Sequence, residues 1–271
     1  MLAIMGRSMV YKARRSLAES LGARLRVEHA ELSLQGTRES NQDRIAVALS
    51  EQAALLVACD GMGGHADGEA AADIAQRSVT ERFLQTPLPL LDPLGFLHLA
   101  LGVAHEGVVA YGARVPLELR PRATCAVCIV QQSSAYWAHV GDSRIYLLRA
   151  GRVQQRTRDH SHVELLVREG VISAGQVQHH PMRNFVESCL GGESMLPEMG
   201  ISTRHALLAG DVLLLCTDGF WANLDDAVIA SAFVTLGLSL RDTLAALATQ
   251  ALLNAGGASD NTSAIALRFL D

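Results

Sequence analysis

The chain has 271 residues, 49% of them hydrophobic, enough to bury a sizeable core without disulfides or a structural metal. A formal net charge of −5 argues against a nucleic-acid surface, because binding to a phosphate backbone calls for a basic excess or stripe. No window joins about 18 uncharged apolar residues, so the sequence predicts no membrane span and a cytoplasmic protein.

Residues 1–27 carry the only basic run, with Lys12, Arg14, Arg15, Arg24 and Arg26, and are expected to form an extension. The apolar stretch from Met1 to Met9 is too short for a signal peptide. Residues 28–271 are expected to form one domain, since no Pro/Ser-rich linker divides them. Short apolar or β-branched runs predict strands at 44–49, 54–59, 124–130, 135–140, 144–149, 211–216 and 263–269. The third, fourth and fifth of these are joined by QQSS and GDS, links that predict two hairpins and an antiparallel sheet. After Asp67, Ala71, Ile74, Ala75, Val79 and Phe83 fall on one helical stripe, with Asp67 as the expected N-cap. Further helices are expected around 96–111 and 163–169. A last one carries Leu244, Leu247, Ala248 and Ala251, opened by Asp242 and closed by Gly256 and Gly257. The fold class is therefore α+β, with helices covering the outer faces of antiparallel sheets. Five cysteines, an odd number, do not read as a secreted disulfide framework. Cys125 and Cys128 form a CxxC, but a spacing of three within a strand points the two sulfurs to opposite faces, which argues against a metal or redox pair.

The positions of the aspartates carry the chemistry. Asp60 ends the run LLVACD, Asp142 ends WAHVGD and Asp218 ends VLLLCTD, while Asp43 and Asp260 stand just before predicted strands. Taken singly, Asp-Gly is an ordinary turn signal and Asp142 could simply shape a hairpin. Taken together, carboxylates gathered at strand ends repel one another unless a cation lies among them. Oxygen donors suit Mg²⁺ or Mn²⁺ better than Zn²⁺, and two such ions could share one water and hold it in line with a phosphorus atom. In DGMGG, Gly61 permits close backbone approach and leaves its carbonyl free to coordinate an ion.

At these residues the sequence resembles the PP2C (PPM) family of metal-dependent Ser/Thr protein phosphatases in its bacterial form. The matching segments are RESNQD, DGMGGHADGEAA, VGDSRIYLLR, RDHSHV, GDVLLLCTDGFW and SDNTSAI, in the family's order over about residues 36–269. The resemblance implies an α-β-β-α sandwich with the metal site in a cleft at one end. It implies that Asp43 and Asp60 take one ion, and that Asp60, the Gly61 carbonyl, Asp218 and Asp260 take the other. Asp142 resembles the ligand for a third, weaker ion, and Arg38 matches the arginine that grips the substrate phosphate. The segment from Asp159 to about Leu190 resembles the family's flap. Two departures stand out. Met62 replaces the histidine that serves animal members as a proposed general acid, which leaves His65 or a water as proton donor. Gln42 stands where many members have an acid.

The expected activity is metal-dependent hydrolysis of phosphoserine and phosphothreonine in proteins, by a monomer opposing a Ser/Thr kinase. Two alternatives are a pseudophosphatase that binds phosphoproteins without turnover and a hydrolase of small phosphate esters. The complete set of aspartates weighs against the pseudophosphatase.

Overall fold

The computed structural model describes residues 24–62, 66–235 and 237–270. Residues 1–23 of the expected extension and the candidate proton donor His65 lie outside the described residues.

Two antiparallel sheets face each other. The first contains β1 (Val27–Leu34), β14 (Thr262–Phe269), β13 (Val212–Cys216), β8 (Arg144–Arg149) and β9 (Arg152–Arg156), in that order. The second runs β11 (Gly200–Ile201), β7 (Ser134–Val140), β6 (Cys125–Gln131), β3 (Ala53–Cys59) and β2 (Arg44–Leu49), with β12 (His205–Ala206) also paired to β7. A small third sheet of β4 (Gly61–Met62), β5 (Arg122–Ala123) and β10 (Leu190–Gly191) sits beside the end of β3.

Strand alternation builds the layers. Leu56, Ala58, Cys128 and Trp137 from the second sheet meet Ile145, Leu213, Leu215, Ile265 and Leu267 from the first in the central core. The intervening residues Leu55, Val57, Cys125 and Val127 face α1 (Ala66–Gln85) and α2 (Pro93–Tyr111). Cys125 and Cys128 therefore do point to opposite faces. On the other side, Tyr146, Leu148, Leu214 and Ala266 face α4 (Asp218–Trp221), α5 (Asp226–Ala232) and α6 (Leu240–Ala255). Another helix, α3 (His162–Arg168), lies in the segment after β9. Strands buried on both faces explain why β3, β6 and β13 read as continuous apolar runs.

Several sequence expectations shift. The QQSS link does make a β6–β7 hairpin, with Gln132 and Ser133 both at positive φ as a two-residue primed turn requires. The GDS link does not make one. β7 and β8 belong to different sheets, so Asp142 sits on a crossover between them. α1 begins at Ala66, placing Asp67 in its first turn rather than at its cap. Ser239, not Asp242, caps α6: its hydroxyl accepts from the Asp242 amide at 3.1 Å and donates to the Asp242 carboxylate at 2.7 Å. β1 takes in Val27, the last residue assigned to the extension. α2 is long and apolar enough to cross a membrane by length and composition, although no such segment was expected. Its Phe96, Leu97, Ala100, Leu101, Ala104 and Val108 pack into the core under the second sheet.

Leu215 sits in the central core on the strand that delivers Asp218. Leu215→Ala is expected to lower unfolding free energy by about 2–5 kcal/mol, measured by urea denaturation followed by circular dichroism.

Candidate active site

Five aspartates meet where buried strands give way to loops. Asp43 precedes β2, Asp60 follows β3, Asp218 opens α4 two residues after the end of β13, and Asp260 lies two residues before β14. Asp142 joins them from the crossover between the sheets. Asp60, Asp142, Asp218 and Asp260 line one cleft of about 580 Å³, together with Arg38 and Gln42. Asp43 lies beneath its floor, 3% exposed.

Local packing fixes the backbone here. A Cβ on Gly61 would overlap the Gly68 carbonyl at the start of α1, so only glycine lets the helix close on this turn. A Cβ on Gly219 would overlap the Asn261 carbonyl, which draws α4 against the strand that follows Asp260. The Asp60 amide donates to the Thr124 hydroxyl at 3.0 Å, and the Thr124 amide donates to the Asp60 carbonyl at 2.8 Å.

Residues that sequence reasoning missed hold the cluster together. The Thr217 hydroxyl donates to Asp43 Oδ2 at 2.9 Å, tying β13 of one sheet to the residue preceding β2 of the other. Asn261 accepts from the Gln42 amide at 2.8 Å and donates to the carbonyls of Gln35 and Ser40, which locks the Arg38 loop to the Asp260 turn. Arg144 donates twice to Asp159, at 2.8 and 2.7 Å, and its guanidinium lies 3.2 Å over the Trp221 ring. The Trp221 indole N–H donates to the Asp142 carbonyl at 3.0 Å. The flap's base is thereby connected to the crossover. All of these residues lie within the segments that resemble the family, yet beyond their adjacency to the acids no sequence signal assigns them a role.

The electrostatics are those of crowded carboxyls. Burial pushes the Asp43 carboxyl up to about 7, with repulsion from Asp218 and Asp260 adding to it and the Ser263 and Thr217 hydroxyls opposing it. Burial likewise raises Asp218 to about 6, reinforced by Asp260. Asp60 rises well above the ordinary carboxylate range, first through burial and then through Asp218, Asp43 and Asp142. Asp142 follows, through burial and then Asp218 and Asp159. Arg38 supplies part of the missing positive charge, with Nη2 at 2.6 Å from Asp260 Oδ2. That pair is largely open to water, so it contributes little to stability and chiefly offsets charge.

The donor set fits hard divalent cations. Oδ1 of Asp43 and Oδ1 of Asp218 are buried without a hydrogen-bond partner, an arrangement that costs free energy unless something binds them. Among the described residues no three acidic, histidine or cysteine side chains are drawn tightly enough to hold an ion as they stand. Mutual repulsion without a counter-charge keeps such carboxylates apart.

A family profile for protein phosphatase 2C matches residues 33–253. The chain belongs to the protein phosphatase 2C family. Serine/threonine protein phosphatase PstP of Mycobacterium tuberculosis is 33% identical over 196 residues, which cover 72% of this chain and 36% of the relative. Serine/threonine phosphatase stp of Listeria innocua is 33% identical over 169 residues, 61% of this chain and 66% of that one. The chain thus spans about a third of the length of PstP. Among solved phosphatase 2C-like structures, the S. agalactiae serine/threonine phosphatase superposes with a TM-score of 0.82 at 25% identity, covering 91% of this chain and all of that one. The catalytic domain of PstP in complex with two manganese ions superposes with a TM-score of 0.76 at 28% identity, covering 90% of this chain and 99% of that one. The expected sandwich of two antiparallel sheets flanked by helices is the one observed.

The raised carboxyls give the cation-free protein a defined pH response. Asp43 and Asp218 hold protons in the folded state that an unfolded aspartate, near pKa 3.9, has released, so their contribution to stability is fully present below about pH 4 and is lost as pH rises to about 7. In chelator, the thermal midpoint is expected to fall by several degrees between pH 5 and pH 7.5. Asp218→Asn should flatten that decline.

Proposed function

We propose that this chain is a divalent-cation-dependent phosphatase that removes phosphate from phosphoserine and phosphothreonine in proteins, the substrates being supplied by a Ser/Thr kinase. The observation that carries the reading is the pair of buried, unpartnered carboxylate oxygens on Asp43 and Asp218, beneath a cleft that an arginine enters from its rim. The naming of PstP and stp as Ser/Thr phosphatases, and the two manganese ions bound by PstP, support it.

Asp43, Asp60, Asp218, Asp260 and the Gly61 carbonyl would hold two Mn²⁺ or Mg²⁺ ions, and Asp142 with Asp218 a third. When bound, such cations offset the phosphate's charge and acidify water for attack on phosphorus. Arg38 orients the phosphate. Only its Nη2 is engaged by Asp260, and with 61% of the side chain exposed the rest of the fork can reach a bound ester. Met62 carries no proton to give, so protonation of the departing alkoxide falls to His65 or to water in the open cleft. A binding-only module would have no need of acids crowded to the point that Asp43, Asp60, Asp142 and Asp218 all have raised pKa values.

Phosphate release from a phosphothreonine peptide is expected with Mn²⁺ or Mg²⁺ and not in chelator, and to fall by at least about 100-fold in Asp218→Asn. A folded protein that binds the peptide but releases no phosphate with either ion would instead be a phosphoprotein-binding module. Arg38→Gln is expected to lower kcat/KM by about 10- to 100-fold through loss of charge-assisted hydrogen bonds. Its Mn²⁺ affinity by calorimetry should not weaken, because a cation competing for Asp260 has been removed.

A further inference from the structure

Beside the catalytic cleft lies a second cavity of about 550 Å³. Asp142, Asn184 and Asp218 line both, so the two form one continuous depression. One wall is the segment after Asp159, which contributes Val163 and Val177. The opposite wall comes from α4 to α6 and contributes Leu224 and Val228. α5 buries Ile229 and Ala230 in the core but leaves Val228 38% exposed at this cavity.

These aliphatic residues alone would describe any crevice. Here Asn184, Gln250 and Asn254 stand among them, and each carboxamide offers both a donor and an acceptor, the same pair that a peptide group presents in reverse. Asn254 is held in place by donating from Nδ2 to the Asn223 carbonyl at 2.8 Å, which leaves its oxygen available as an acceptor. Charged and amide side chains make up most of the lining, with Arg144, Glu164 and Asp225 among them, so the aliphatic residues form an apolar patch inside a polar cavity that can satisfy a peptide backbone, and the volume suits a short segment rather than a single group. A small phosphate ester seated at Arg38 and the aspartates would leave this space empty. A protein substrate, whose chain must continue past the phosphorylated residue, would not.

We infer that this cavity is a peptide subsite: it takes an apolar side chain and the adjoining backbone of the segment flanking the phosphorylated residue, and so selects among phosphoproteins. The inference rests on the phosphatase reading above. Val228 and the carboxamides touch neither the phosphate nor the cation-holding oxygens in this scheme, so they act on recognition rather than on chemistry.

The test uses the whole chain with Mn²⁺ and three substrates: p-nitrophenyl phosphate and two phosphothreonine peptides, one with leucines flanking the phosphothreonine and one with serines there. The parent should prefer the leucine peptide, and Val228→Asp should raise KM for it about tenfold, the scale of a lost apolar contact, with kcat unchanged. The same variant should turn over p-nitrophenyl phosphate as the parent does. Val228→Ala, which keeps the helix and shortens the side chain, should give a smaller change in the same direction. Equal turnover of the two peptides by the parent, or equal losses on peptide and small ester in Val228→Asp, would overturn the subsite. If the parent released phosphate from nothing, the phosphatase reading would fail. Fluorescence anisotropy of the labelled leucine peptide on parent and Val228→Asp would then decide the subsite independently, weaker binding to the variant supporting it and equal binding refuting it.

Discussion

Everything at this site follows from one constraint, the repulsion among aspartates held close together and largely out of water. Asp43, Asp60, Asp142 and Asp218 all have raised pKa values, each chiefly through burial and each worsened by a neighbouring aspartate. Left to itself, such a cluster relaxes by taking up protons or by turning its side chains outward. The fold blocks the second route for Asp43, whose Oδ2 is held by Thr217 and whose Oδ1 is buried with no partner. Arg38 pairs with Asp260 at the rim and eases Asp218 only from a distance, so unmet demand for positive charge remains at the floor of the cleft.

Only a stiff frame can hold that demand in place. The sandwich provides it by ending several strands together: β3 and β13 each stop at an aspartate, while β2 and β14 each begin just after one. Both sheets are buried on their inner and outer faces, so these ends cannot splay without opening a core. The bonds between Thr217 and Asp43, and from Asn261 to the Arg38 loop, then set the spacing between ends that belong to different strands.

The acids were legible in the sequence because an aspartate at the end of LLVACD or VLLLCTD interrupts an otherwise continuous apolar run. Thr217 and Asn261 were not, since Thr and Asn fill turns everywhere and nothing in their spacing reveals a partner 174 or 226 residues away. The strands β2 and β8 fall where the apolar pattern put them, residue for residue. β9 escaped because RVQQR is a polar edge strand, although the turn at Ala150 and Gly151 before it resembles the one at Gln132 and Ser133. The GDS link was misread for a physical reason. A three-residue connection satisfies a hairpin and a hop between facing sheets equally well, and only packing decides which forms.

That hop gives Asp142 its special position. Because the chain crosses between the sheets there, Asp142 lies on the boundary between the aspartate cleft and the neighbouring cavity and lines both. Its carbonyl is held by Trp221, Trp221 is covered by Arg144, and Arg144 is bound by Asp159 at the root of the flap. Arg144 and Asp159 are both buried, so breaking this pair would leave an uncompensated charge, and the chain of contacts is therefore stiff. A displacement of the flap root cannot leave Asp142 where it was. The surface proposed to feel a substrate's flanking residues is in this way mechanically joined to a carboxylate of the aspartate cluster, so that under the proposed function recognition and chemistry would share a single support.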